Sequence, residues 1–201
     1  MKKYIFPIFT IVAVVGYLKF RQGLVQEQEA ATRDLPKLGT ISEFDLQTQN
    51  GERVGAKHLD GHVWIGSFIF TRCQGPCPMM SQKMARLQKE LAEIPNIRHV
   101  SISMDPEHDT PEVLLDYANK YGADHERWLF LTGEKGDIIK LAVEAFKLPA
   151  GEDPDMHSTR FVLVDQEQKI RGYYDSQDPQ SIAKLSSDAK NLVRQGHKPS
   201  V

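Results

Sequence analysis

Residues 62–70, HVWIGSFIF, form a nearly unbroken apolar run of strand-forming residues. A strand with one wet face alternates apolar and polar side chains. A run with no polar face must be covered on both sides, as in a largely parallel sheet lying between helices. This stretch therefore excludes an open hairpin fold and predicts an α/β domain.

The rest of the chain supplies the covering helices in the right places. Met80, Met84, Leu87, Leu91 and Ile94 recur at helical spacing behind Pro78, a residue suited to a first helical turn because its missing N–H costs nothing there. Ile97 to Met104 reads as a second buried strand. Asp109-Thr110-Pro111-Glu112 is a helix start, a capping side chain followed by proline, and Gly122 ends that helix. Trp128 to Leu131 is a third strand, and Gly136 to Phe146 another amphipathic helix. The loop PAGEDPDMHS leads to a strand over Thr159–Val164, which a turn returns as Ile170–Tyr174. Asp178-Pro179 opens a last helix. Near the front, Ile41 to Leu46 alternates and meets Asn50-Gly51, a hairpin signal. The order is hairpin, β, α, β, α, β, α, β, β, α. A βαβ unit followed by ββα is the thioredoxin-like arrangement.

The N-terminus is a different material. Lys2 and Lys3 precede an apolar run from Tyr4 to Leu18, closed by Lys19 and Arg21. Counted to Phe20 the run reaches roughly 25 Å as a helix, a short membrane span whose flanking cations can snorkel. Gly16-Tyr17-Leu18-Lys19-Phe20 offers no small-x-small cleavage site. An uncleaved transmembrane anchor is thus favoured over a cleaved signal, and the absence of a cysteine after the run excludes a lipoprotein. The expected organisation is an anchor or signal segment over 1–21, a polar tether over 22–38, a thioredoxin-like domain over 39–196 and a tail over 197–201. A net charge of −2 and a pI near 6.4 give no electrostatic case for nucleic acid.

The two cysteines of the chain, Cys73 and Cys77, stand four positions apart in SFIFTRCQGPCPMM, directly after the long apolar strand. A staple at this spacing would stabilise the fold by only about 2 kcal/mol through chain entropy. A redox switch and a metal clamp fit better. A helix N-terminus favours a thiolate, which is at once nucleophile and metal ligand. Two inert buried thiols are the bland alternative. A metal needs a third donor, and soft sulfur selects Cu(I). Of seven histidines, His157 stands apart: it lies in the loop before the strand Thr159–Val164, which this topology packs against the cysteine turn. Met80 and Met84 lie on the apolar stripe and read as core. Met79 and Met156 flank the site and read as packing or shielding rather than ligands.

Taken together these residues resemble the Sco/SenC family of copper-delivery proteins that help assemble cytochrome c oxidase. The resemblance covers roughly 39–195 and rests on five signatures in order: Phe44-Asp45-Leu46 with Asn50-Gly51, Phe70-Thr71-x-Cys73-x-x-x-Cys77-Pro78, Ser103-x-Asp105-Pro106 with Asp109-Thr110-Pro111, Leu131-Thr132-Gly133, and His157-Ser158. It implies copper, Cu(I) or Cu(II), held by Cys73, Cys77 and His157 in a single-pass protein of the bacterial inner membrane, its domain facing the periplasm. It implies a metallochaperone rather than a turnover enzyme, with a copper-site subunit of cytochrome c oxidase as partner. Two positions depart from the family's usual pattern: Gln74 stands where a proline follows the first cysteine, and Met156 where an aspartate precedes the histidine. The alternative is a thiol–disulfide oxidoreductase in which Cys73 and Cys77 cycle on the cysteines of such a partner while His157 tunes their pKa. A peroxiredoxin-type peroxidase is disfavoured, because Thr71 lies two residues before Cys73 and the Pro-x-x-x-Thr-x-x-Cys pattern is absent.

Overall fold

The computed structural model describes residues 14, 16–19, 21, 34–154 and 156–196. Most of the apolar N-terminal run lies outside these; of it only Val14 and residues 16–18 are described, as helix. No helix among the described residues is long and apolar enough to cross a membrane. The C-terminal tail, 197–201, also lies outside the described residues.

The packed domain begins at Leu35. Its strands are β1 (Gly39–Thr40), β2 (Leu46–Thr48), β3 (Arg53–Val54), β4 (Val63–Ile69), β5 (Ile97–Ser103), β6 (Trp128–Thr132), β7 (Arg160–Val164) and β8 (Lys169–Asp175). They form one sheet in the order β1-β8-β7-β4-β5-β6-β2-β3. β4, β5 and β6 run parallel, and the strands flanking them are antiparallel. The helices are α1 (Pro76–Glu90), α2 (Pro111–Lys120), α3 (Lys135–Lys140) and α4 (Pro179–Gly196). This is the mixed α/β, thioredoxin-like order expected from the sequence.

Every residue of β4 is buried, as its apolar run requires. Alternate side chains serve two separate cores. Val63, Ile65 and Ile69 join Met80, Met84 and Leu87 of α1, Leu114 of α2 and Leu185 of α4 on one face. Trp64 and Phe68 join the hairpin residues Leu46 and Val54 and the α3 residue Ile138 on the other. Met80 and Met84 are core residues, as their spacing predicted.

Three boundaries differ from expectation. The hairpin strand starts at Leu46 rather than Ile41, and Gly51 takes a positive φ of 83° in its turn. The helix expected over 136–146 is α-helical only to Lys140. A π turn follows over Leu141–Ala145, with Phe146 N–H bonded to the Leu141 carbonyl. The wider turn lets Phe146 meet Trp64 and Phe68 edge-on. Gly66 makes room: a Cβ there would lie 2.9 Å from the Phe146 ring. Third, the last four residues assigned to the tether belong to the domain. Leu35 packs into the first core, and Leu38 N–H bonds the Ile170 carbonyl beside the β1–β8 pairing.

Candidate metal centre

β4 ends at Ile69, and the chain turns at once. Cys73 N–H bonds back to the Phe70 carbonyl at 3.3 Å, so Phe70–Cys73 is a four-residue turn with Cys73 in its last position. Gly75 then caps α1, which starts at Pro76, two residues before the proline the sequence suggested. Cys77 therefore sits inside the first helical turn rather than in the loop. Pro76 and Pro78 bring no N–H, so of the first three helical positions only Cys77 offers a backbone donor. The Gly75 N–H points instead at Cys73 Sγ, 3.3 Å away. Cys73 and Cys77 are both buried, Cys77 completely.

His157 comes from the loop ahead of β7, the strand that pairs with β4 on the side away from β5. It forms an isolated antiparallel bridge with Ala150, closing the loop ahead of β7. Its Nε2 lies 3.7 Å from Cys77 Sγ. Its Nδ1 lies 3.1 Å from the Ser158 carbonyl oxygen, which can only accept. That bond puts the ring proton on Nδ1 and leaves the Nε2 lone pair facing the sulfur. The Phe70 ring meets the imidazole edge-on at 5.8 Å and fixes its plane. One soft metal ion held at about 2.3 Å from sulfur and about 2.0 Å from nitrogen separates them by roughly 3.5–3.8 Å, so the observed spacing fits an ion shared by Cys77 and His157.

The other described histidines are engaged elsewhere. His58 accepts the Gly55 N–H, His62 meets the Asp60 carbonyl, His108 meets Asp109, and His125 meets Asn119 and Gln49. His99 is buried in β5 against Trp128. Met79 and Met156 are both exposed, and Met156 leans over Gly151, where a Cβ would lie 3.6 Å from its Sδ. One turn along α1 from Cys77, Ser81 pairs with Tyr117 through hydroxyls 3.0 Å apart. Burial pushes the pKa of the Tyr117 hydroxyl far up, so it stays neutral.

The helix start read at Asp109-Thr110-Pro111-Glu112 holds: Thr110 caps α2, its side chain accepting from Val113 N–H, and Pro111 is the first helical residue. The sequence reading missed a separate role of Asp109. Asp109 is fully buried and accepts from Thr71 N–H at 3.0 Å, from Thr71 Oγ1 at 2.5 Å and from Ser103 Oγ at 2.5 Å. Asp105 holds Arg72 through Nε at 3.0 Å. Asp105, His108 and Asp109 bring ligand atoms within 4.8 Å of one another, yet both carboxylates are already occupied by these donors. The group braces the cysteine turn. Only the placement of Thr71 and Asp109 in the same short signature set hinted at it.

The SCO1/SenC family model matches residues 32–194. The chain is 36% identical over 157 residues to the SCO1 protein homolog of Bacillus subtilis, covering 75% of this chain and 81% of that protein. Among solved structures it resembles BsSco, a member of the Sco family of cytochrome c oxidase assembly proteins in which a disulfide switch was identified, with TM-score 0.72, 33% identity, and coverage of 81% of this chain and 97% of that one. It also resembles Arabidopsis thaliana ScoI with copper bound, with TM-score 0.65, 26% identity, and coverage of 79% and 99%.

Proposed function

Because the chain belongs to the SCO1/SenC family, we propose that it binds copper through Cys73, Cys77 and His157 and delivers it to cytochrome c oxidase during assembly. The observation that carries this reading is the 3.7 Å approach of His157 Nε2 to Cys77 Sγ, with Nδ1 committed to the Ser158 carbonyl. A redox pair can work without a ring nitrogen there, although one would tune its thiols, whereas a copper site needs it as the third donor. Two thiolates and a neutral imidazole are the donor set that soft copper prefers. Ligation requires both thiols to lose a proton, so uptake releases protons and weakens in acid. The site lies at the end of the sheet where β4 gives way to α1, the edge at which an α/β sheet exposes a ligand to a partner. A copper-site subunit of the oxidase is the proposed acceptor.

The alternative, thiol–disulfide exchange on cysteines of that acceptor, has its own support. Cys77 occupies the first turn of α1 and Cys73 the turn just ahead of it, close enough in sequence for an internal disulfide. The likeness to a Sco protein with a disulfide switch is compatible with it. The domain is proposed to sit on the outer face of a bacterial inner membrane, anchored by the apolar N-terminal run, where disulfides persist.

A copper titration of wild type, His157→Ala and His125→Ala separates the readings. Thiolate-to-copper absorption should be lost or strongly weakened in His157→Ala and unchanged in His125→Ala, because His125 is engaged with Asn119 and Gln49. Equal stoichiometry and affinity in all three proteins would remove His157 from the site and leave the oxidoreductase.

A further inference from the structure

The three proposed ligands are not held alike. Cys77 rides on α1, a helix of 15 residues packed across the sheet. His157 is fixed by a bridge to Ala150, by Ser158 and by Phe70. Cys73 has no such element. It ends a four-residue turn whose two central residues are the half-buried Thr71 and the exposed Arg72. What restrains that turn comes from another part of the chain, the connection between β5 and α2.

Two ties cross from that connection. The Asp109 carboxylate takes both the N–H and the hydroxyl of Thr71, the first residue inside the turn. The Asp105 carboxylate takes the guanidinium of Arg72, the second, at 3.0 and 2.5 Å. The ties are unequal. Asp105 faces an Arg72 side chain that is 59% exposed, so water competes for that pair. Asp109 is fully buried, and besides the His108 ring at 3.0 Å it faces a backbone N–H and two hydroxyls on neighbouring elements. Removing a partner from a buried, saturated group leaves donors without acceptors, which is costlier than losing a solvated pair. Asp109 is itself held in place from behind. Ser103, the last residue of β5, donates to it and accepts the Asp105 N–H, while Asp109 N–H bonds the Asp105 carbonyl.

We propose that Asp109, acting through Thr71, is the positioning residue for Cys73, so that the cysteine turn keeps its observed shape only while this buried carboxylate grips it. The inference rests on the copper reading for its consequence but not for its geometry. Asp109 touches no proposed ligand. It fixes the backbone two residues before Cys73, and with it the approach of Cys73 to the Cys77–His157 pair. Outer partners of this kind typically set metal affinity by about 10–100-fold.

The experiment compares the full chain with Asp109→Asn, Thr71→Val and Thr71→Ser. Asp109→Asn keeps the volume and places an amide where donors converge. Thr71→Val deletes one hydroxyl and leaves the Thr71 N–H bond intact, so it remains informative if Asp109→Asn fails to fold. Thr71→Ser restores the hydroxyl. Two readouts are used: Cu(II) affinity with its thiolate absorption, and the alkylation rate of each cysteine in metal-free, reduced protein. Asp109→Asn and Thr71→Val should lower Cu(II) affinity about 10–100-fold and speed alkylation of Cys73 about tenfold while Cys77, inside α1, keeps its rate; a local opening of the turn exposes one sulfur and not the other. Thr71→Ser should behave as wild type. Wild-type affinity and wild-type alkylation in both lesions, whatever their melting temperatures, would overturn the proposal. If the wild-type chain itself binds no copper, the copper reading falls, and the alkylation rates still decide whether Asp109 positions Cys73.

Discussion

Arg171 of β8 donates its guanidinium to the carbonyl oxygen of Leu35, a residue 136 positions earlier in the chain. The same guanidinium reaches the Pro36 carbonyl at 3.2 Å and the buried Asp165 carboxylate at 2.8 Å. The segment before β1 is thereby clamped to the far edge of the sheet, with the Leu35 side chain seated in the core.

A chain starting at Gly39, the boundary that composition suggests, should therefore be less stable than one starting at Asp34. It loses the Leu35 side chain, worth about 1.5–3 kcal/mol of burial, and two carbonyl acceptors for a buried cation. Urea unfolding of the two fragments gives the difference directly, and Leu35→Ala in the full chain should reproduce most of it. Coincident unfolding curves would show that the clamp contributes nothing.

The cysteine pair should act as a switch and not as a staple. Cys73 and Cys77 should oxidise reversibly to an internal disulfide, with copper protecting them from alkylation. So short a loop restricts the unfolded chain by only about 2 kcal/mol. Reduction of the metal-free protein should accordingly lower the melting temperature modestly. A fall of tens of degrees would assign the pair a structural role.

His99 should make the domain sensitive to mild acid. It is fully buried in β5, and neither ring nitrogen makes a hydrogen bond within normal limits. Burial, and then the positive charge of Arg127, push its pKa down from 6.5 to about 4; the Arg127 backbone opposes the shift only in part. The unfolded chain thus binds this proton more readily than the folded one. Stability attached to the neutral ring is complete above pH about 6.5 and is lost as the pH falls toward about 4, by up to about 3 kcal/mol. His99→Leu should keep its stability at pH 7 and lose this part of the slope, seen as a pH-dependent gap between denaturation midpoints. Parallel profiles for the two proteins would remove His99 as the cause.

Met156 stands beside His157 and is exposed. Met156→Asp places a carboxylate next to a proposed ligand, where its attraction for Cu(II) is screened by water and worth about 0.2–1 kcal/mol. Cu(II) affinity should rise at most about fivefold, the gain should shrink with added salt, and the weaker charge of Cu(I) should benefit less. A salt-independent change, or none, would exclude a role for charge at this position.

Sequence alone determined the layers of this protein, because burial on both faces of a strand or on one stripe of a helix is written in consecutive residues. HVWIGSFIF could only be a covered strand; Met80, Met84 and Leu87 could only point one helix face at it. The residues proposed for copper were legible too, since soft sulfur donors are rare and stood together, and the order of elements delivered His157 to them. Tertiary structure alone decided what depends on partners far apart in the chain. Leu35 looked like tether because its acceptor role is visible only once Arg171 folds back to it. The helix after β6 widened into a π turn because Phe146 had to reach Trp64 and Phe68 past Gly66. Asp109 stood in the sequence only as part of a helix start, and became the brace of the cysteine turn because Thr71 and Ser103 converge on it from two other elements. Local pattern records which face of an element is dry; it carries no record of which distant donor will find a buried acceptor, because that is set by how the layers pack.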